Sequence, residues 1–186
     1  AQAKSYQRVS VMFTDFKDFT RHSEKLNPEE LVNKIDFCFR KFDEIITKYN
    51  LEKIKTIGDS YLCVSGIPNS TEKSEENIIL AAIEIKEFIE SIKTEDHSED
   101  NFEIRIGINT GPLVAGIVGM KKFAFDIWGD TVNTAARMEQ NSEPGRINIS
   151  QSTYELINEK FSCTDRDKIE AKNKGNLKMY FLKSKN

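Results

Sequence analysis

Histidine and cysteine are scarce in this chain, and none sits where chemistry would need it. His22 and His97 are the only histidines, and Cys38, Cys63 and Cys163 stand far apart with no Cys-x-x-Cys pair. That supply excludes a structural zinc site, and a dispersed, odd set of thiols fits core packing in a reducing compartment. Any metal would have to be hard and bound through oxygen. Long apolar runs are missing, as is a basic-then-apolar leader, so no segment reads as a membrane span or signal peptide. Four prolines and nine glycines leave no fibrous or linker-like tract. Positive charge is not in excess: 27 Lys and Arg against 30 Asp and Glu give a net −3. Non-specific nucleic-acid binding through the overall field is therefore excluded. A polyanionic small substrate is not, because it needs only a local cluster of cations and a divalent ion. No Gly-Lys-Ser/Thr phosphate loop occurs, which removes P-loop hydrolysis.

What is present is 38% hydrophobic and 31% charged residues over 186 positions, enough for one globular domain spanning residues 1–186. The chain opens on Ala1 and becomes strand-like within ten residues, so we expect a domain excised from a longer multidomain protein.

Arg8–Phe13 alternates, with Val9, Val11 and Phe13 on one face of a strand. Asn27-Pro28-Glu29-Glu30 starts a helix whose apolar stripe runs through Leu31, Ile35, Phe39, Phe42, Ile46 and Tyr49. Glu52–Ile57 and Tyr61–Ser65 form a hairpin around Gly58-Asp59-Ser60. Ser74 is set to cap a second helix carrying Ile78, Ala82, Ile85, Ile89 and Ile92. Lys93–Asn101 reads as a solvated loop, and Ile104, Ile106 and Ile108 as a strand. Gly111-Pro112 is expected to turn the chain into Leu113–Val118. Phe123–Trp128, a short helix over Thr131–Gln140, a strand at Ile147–Ser150 and a helix at Ser152–Lys160 follow. Further strands are expected near Phe161–Thr164, Lys168–Ala171 and Met179–Leu182. The order strand–helix–strand–strand–helix–strand predicts an α+β fold of the ferredoxin-like or polymerase-palm kind, a βαββαβ core with additional C-terminal strands and helices.

Two places can carry chemistry. Asp15 lies where the first strand ends, and Asp59 at the tip of a hairpin expected to pair beside it. Converging carboxylates at one end of a sheet can hold Mg²⁺; equally, Asp15 can cap the next turn and Asp59 can be an ordinary turn residue. Asn133 and Arg137, four apart on a helix, point to one face and offer an amide and a guanidinium fork to a phosphate. Trp128 reads as core or interface packing, Lys121-Lys122 as a solvated turn, Phe37, Phe39 and Phe42 as core or dimer interface, and both histidines as surface residues.

Four ordered stretches resemble the catalytic domain of class III nucleotide cyclases, the adenylate and guanylate cyclases. They are Val11–Thr20, Lys53–Tyr61, Arg105–Gly111 and Asp126–Glu139, and the resemblance runs from Val9 to about Leu182. It implies that Asp15 and Asp59, with the backbone carbonyl of Phe16, hold two Mg²⁺ or Mn²⁺ ions per active site. Lys55 and Asp126 would read the purine. Asn133 would orient the ribose, Arg137 would stabilise the transition state, and Arg105 would contact the departing phosphates. The family's Lys-Gly-Lys-Gly loop reads Lys172-Asn173-Lys174-Gly175 here; Lys174 takes the terminal-phosphate role, with Lys172 as the alternative. A lysine donor and a carboxylate acceptor match adenine, so the implied reaction is ATP to 3′,5′-cyclic AMP and pyrophosphate. The alternatives are a guanylate cyclase and an inactive, nucleotide-binding regulatory domain. A diguanylate cyclase or polymerase lacks both its Gly-Gly-Asp/Glu-Glu-Phe signature and a basic groove. The resemblance further implies a cytoplasmic homodimer with shared active sites, coupled to an upstream sensor or regulatory domain.

Overall fold

The computed structural model describes residues 2–95 and 102–186. Its elements are β1 (Gln2–Lys17), α1 (Phe19–Lys25), α2 (Pro28–Lys48), β2 (Glu52–Ile57), β3 (Ser60–Ser65), α3 (Ser74–Glu95) and β4 (Glu103–Val118). Then come β5 (Ala124–Trp128), α4 (Asp130–Gln140), β6 (Arg146–Ser150), α5 (Gln151–Ile157), β7 (Phe161–Ala171) and β8 (Gly175–Lys185). The eight strands form one sheet in the order β2-β3-β1-β4-β6-β8-β7, with β5 paired to the far half of β4. The first four strands and their two long helices are the expected split βαβ arrangement, and the whole is the expected α+β fold.

Helix α2 begins as its sequence directs: Asn27 Oδ1 accepts from the Glu30 N–H at 2.8 Å, with Pro28 in the first turn. Phe42 and Ile46 are buried, and Leu31, Ile35, Phe39 and Tyr49 pack beside them. Together with Ile78, Ala82 and Ile85 of α3 and Ile104, Ile106 and Ile108 of β4 they fill the main core on one face of the sheet. Val9 and Val11 point to the other face, with Phe13 packed against them, where Leu62, Leu113, Ile127 and Ala135 of α4 close a second core.

The sheet is longer and more continuous than the sequence reading expects. Gly111-Pro112 does not turn the chain; β4 runs straight through it. Pro112 is tolerated because β4 changes partners there, from β6 at residues 105–108 to β5 at residues 114–118, and because β1 is bulged between Tyr6 and Val9 on the other side. The two strands expected at 161–164 and 168–171 are one, β7, with a register shift between Asp165 and Lys168 where Asp167 takes φ 60°. Helix α5 stops at Ile157 rather than Lys160 and is capped by Ser150, whose hydroxyl accepts from the Thr153 N–H. Ser74 opens α3, but its hydroxyl accepts from the Thr71 N–H at 2.9 Å. Lys93 belongs to α3; residues 96–101 and His97 lie outside the described residues, as does the side chain of His22. Phe37 is 60% exposed and touches Phe88 instead of entering the core, and Trp128 is likewise at the surface, 40% exposed. Among the described residues no helix is long and apolar enough to cross a membrane.

Candidate active site

Strand β1 alternates from Val9 onward, so Asp15 projects to the α4 face while Phe16 turns into the main core. The Phe16 ring packs 4.9 Å from Phe102 and 6.1 Å from Phe39, centroid to centroid, which anchors the strand end carrying Asp15. Asp59 sits at the β2–β3 turn, where Gly58 supplies the left-handed φ of 59°. Pairing of β3 with β1 brings that turn to the end of β1, and the Phe16 N–H donates to Asp59 Oδ2 at 3.3 Å. The Asp59 carboxyl is pushed up to about 7, by burial first and by the adjoining Asp15 carboxyl second.

Arg105 lies directly opposite Asp15 in the β1–β4 ladder. Its guanidinium stands 3.6 Å from Asp15 Oδ2 and 3.1 Å from Glu139 Oε2. The sequence reading gave Glu139 no role. Glu139 is 5% exposed, and burial pushes its carboxyl upward while Arg105 opposes that shift. The available signal was its place at the end of the Asp126–Glu139 stretch, but not its direction. Asp15 Oδ1, Glu139 Oε2 and Arg105 Nε are all buried without a hydrogen-bond partner, so this cluster does not satisfy itself. Among the described residues no group of three or more His, Cys, Asp and Glu has metal-holding geometry. Asp15 and Asp59, hard oxygen donors with an orphaned oxygen and mutual repulsion, together with the Phe16 carbonyl, do fit a divalent cation that bound phosphate and water would complete.

The remaining expected residues make their contacts elsewhere. Lys55 Nζ donates to Asp126 Oδ2 at 2.7 Å, joining β2 to β5, and Asp126 Oδ1 accepts from the Ile127 N–H. On α4, Thr131, Ala135 and Met138 are buried and Asn133 is exposed on the opposite side. Arg137 reaches the β7–β8 turn: its Nε donates to the Lys172 carbonyl at 2.9 Å and its NH1 to Gln140 Oε1 at 2.6 Å. Lys174 in that turn is ion-paired with Asp130 at the start of α4. Lys172 contributes a backbone carbonyl here. Asp15, Phe16, Asp59 and Arg105 are thus brought together, Lys55 pairs with Asp126, Arg137 and Lys174 both link α4 to the β7–β8 turn, and Asn133 is exposed on α4.

The seat of α4 is β4. Gly107 lies under the helix so closely that a Cβ there would stand 1.9 Å from the Glu139 backbone nitrogen. Asn109 Nδ2 donates to the Thr131 carbonyl at 3.0 Å, and Gly111 leaves room for the Thr131 side chain. From the next strand, fully buried Asn148 donates to the Met138 carbonyl at 2.9 Å and accepts from Arg166.

The family described as the adenylate and guanylate cyclase catalytic domain matches residues 1–184. An adenylate cyclase of Mycobacterium tuberculosis is 35% identical over 180 residues, covering 97% of this chain and 40% of its own. A receptor-type guanylate cyclase of Caenorhabditis elegans is 35% identical over 189 residues, covering 99% and 17%. The chain therefore spans less than half the length of either relative. The guanylate cyclase domain of the RhGC protein from Catenaria anguillulae, solved in complex with GTP, superposes with a TM-score of 0.92 at 34% identity, covering 98% of this chain and all of that one.

Proposed function

Because this chain belongs to the family of adenylate and guanylate cyclase catalytic domains, we propose that within that nucleotide-cyclase activity it is specific for ATP, forming 3′,5′-cyclic AMP and pyrophosphate. The observation that carries the reading is the Lys55–Asp126 pair at 2.7 Å. A protonated amine beside a carboxylate is complementary to adenine, with Lys55 donating to N1 and Asp126 accepting from the N6 amino group. Guanine presents a donor at N1 and an acceptor at O6, the reverse pattern. Incubation with ATP or GTP and Mg²⁺ or Mn²⁺, followed by chromatographic identification of the product, tests this; faster turnover of GTP would overturn it.

Asp15, Asp59 and the Phe16 carbonyl would hold the divalent ions. Two such ions, once bound, would acidify the ribose 3′-hydroxyl and neutralise the triphosphate, which explains why no histidine base is needed. Asn133 orients the ribose so that its 3′-oxygen lies in line with the α-phosphorus. Arg137 places fixed positive charge where charge develops at that phosphorus, and Arg105 does the same for the departing pyrophosphate. Lys174, released from Asp130, meets the terminal phosphate. The presence of all these side chains supports an enzyme over an inactive regulatory domain.

That Asp15, Asp59 and Arg105 form one cluster, while Lys55–Asp126 and Arg137–Lys172 are separate contacts, supports a two-fold homodimer, each site taking Asp15, Asp59 and Arg105 from one chain and Lys55, Asp126, Asn133, Arg137 and Lys174 from its partner. Exposed apolar side chains on the β4–β5 hairpin, with Met120 at 96%, Phe123 at 74%, Ile117 at 46% and Trp128 at 40%, support a partner on that surface. In this reading residues 1–186 are one catalytic domain of a longer, cytoplasm-facing protein whose other domains regulate it.

A further inference from the structure

We propose that Glu139 is a positioning residue of the metal half-site, holding Arg105 toward the departing phosphates, so that α4 serves both active sites of the dimer at once. The inference rests on the shared-site cyclase reading above. Arg105 lies between two carboxylates, Asp15 at 3.6 Å and Glu139 at 3.1 Å. Asp15 is needed by the metal ions, and an arginine drawn fully onto Asp15 would compete with them for its oxygens. Glu139 supplies the second anchor. It is 5% exposed, and the absence of a Cβ at Gly107 lets its backbone lie directly against β4, so its reach is fixed by the strand itself. Arg105 Nε is buried without a hydrogen-bond partner, so the two carboxylates at NH2 are what hold the guanidinium. Two residues earlier, Arg137 projects the other way, to the Lys172 carbonyl at the β7–β8 turn. In the dimer, one turn of helix thus carries a residue for each of two different sites.

Three measurements test this. Glu139→Gln keeps the shape and removes the charge; it should lower kcat by roughly 10–100-fold, the usual cost of losing an outer-shell partner, with KM for ATP little changed. Glu139→Asp, which keeps the charge, should recover part of that loss. With Arg105 already replaced by Ala in the same chain, Glu139→Gln should cost almost nothing more. Finally, mixing chains assigns the half-site. Paired with Arg137→Ala, Glu139→Gln should recover toward a quarter of wild-type activity, since half the dimers are mixed and each has one intact site; paired with Asp59→Asn it should not recover. Wild-type kcat in Glu139→Gln, or a full additive loss on top of Arg105→Ala, would overturn the assignment. So would recovery with Asp59→Asn, or no recovery with Arg137→Ala while the control mixture of Asp59→Asn and Arg137→Ala recovers. Failure of that control, with subunit exchange verified, would count against the shared-site reading alone, and the Arg105 double variant would still decide the role of Glu139.

Discussion

At the scale of single residues, Asp15 and Asp59 form an unfavourable pair in the absence of a cation: adjoining carboxylates, partly buried, with Asp15 Oδ1 lacking a partner. Asp59→Asn should therefore abolish turnover without lowering the thermal unfolding temperature of the metal-free protein, because an isosteric amide removes the repulsion. Calorimetry beside a cyclisation assay checks both halves, and near-normal turnover would remove Asp59 from the proposed metal site. Mn²⁺ should support the wild type at least as well as Mg²⁺. The proposed purine readers, Lys55 and Asp126, make a second case. Lys55→Glu with Asp126→Cys presents an acceptor and a weak donor, and should move the preference from ATP toward GTP by about 10²-fold in relative kcat/KM, the scale on which buried polar contacts discriminate substrates. An undiminished ATP preference would dissociate these two positions from base choice. Both pairs were legible in the sequence because they lie in recognisable stretches. Glu139 lay in one as well, yet a helix sequence gives the side chain's spacing and not the strand it meets. Asp130, which ion-pairs with Lys174, was missed for the same reason.

At the scale of elements, the long helices were readable because their stripes are local, as in the burial of Phe42 and Ile46 after the Asn27 cap. The short helix α1 was not foreseen, and Ser74 does not cap α3. The strands were read too short. Gly111-Pro112 carries a turn signal that the structure overrides, because neither neighbouring strand asks Pro112 for a hydrogen bond. Which strand neighbours which is non-local information, and no pattern near residue 112 contains it. Helix α4 is likewise placed by what lies under it. Gly107→Ala would put a methyl group against backbone at 1.9 and 2.4 Å, so the helix itself must move. We expect a loss of about 1–3 kcal/mol, typical of an overpacked site. Turnover should fall further than stability suggests, since Arg137 and Glu139 ride on the same helix. Urea unfolding and kcat, measured together, separate the two effects; unchanged kcat would mean that α4 need not be held tightly.

At the scale of the whole molecule, the dispersed site residues and the apolar hairpin have one common consequence under the proposed shared-site reading. In the shared-site reading a monomer contains both halves of the machinery but assembles neither site, so turnover per chain should rise with protein concentration and level off once the dimer is populated. Phe123→Asp, on the exposed hairpin, should shift that rise to higher concentration without altering the plateau. Sedimentation and activity measured over the same dilution series check this, and a concentration-independent specific activity would favour a site complete within one chain.

Strand β4 between residues 104 and 111 is covered on both faces, with Arg105 partly exposed. Ile104, Ile106 and Ile108 fill the main core, while Arg105, Gly107, Asn109 and Gly111 face the helix that they seat. Inserting or deleting a single residue here would exchange the two sets at a stroke, burying an arginine among phenylalanines and wedging isoleucine side chains beneath α4. A length change in a surface loop would leave this register intact, whereas this stretch keeps it only under substitution. Its spacing is a ruler from which the distance between the Asp15 and Asp59 cluster and the helix is measured.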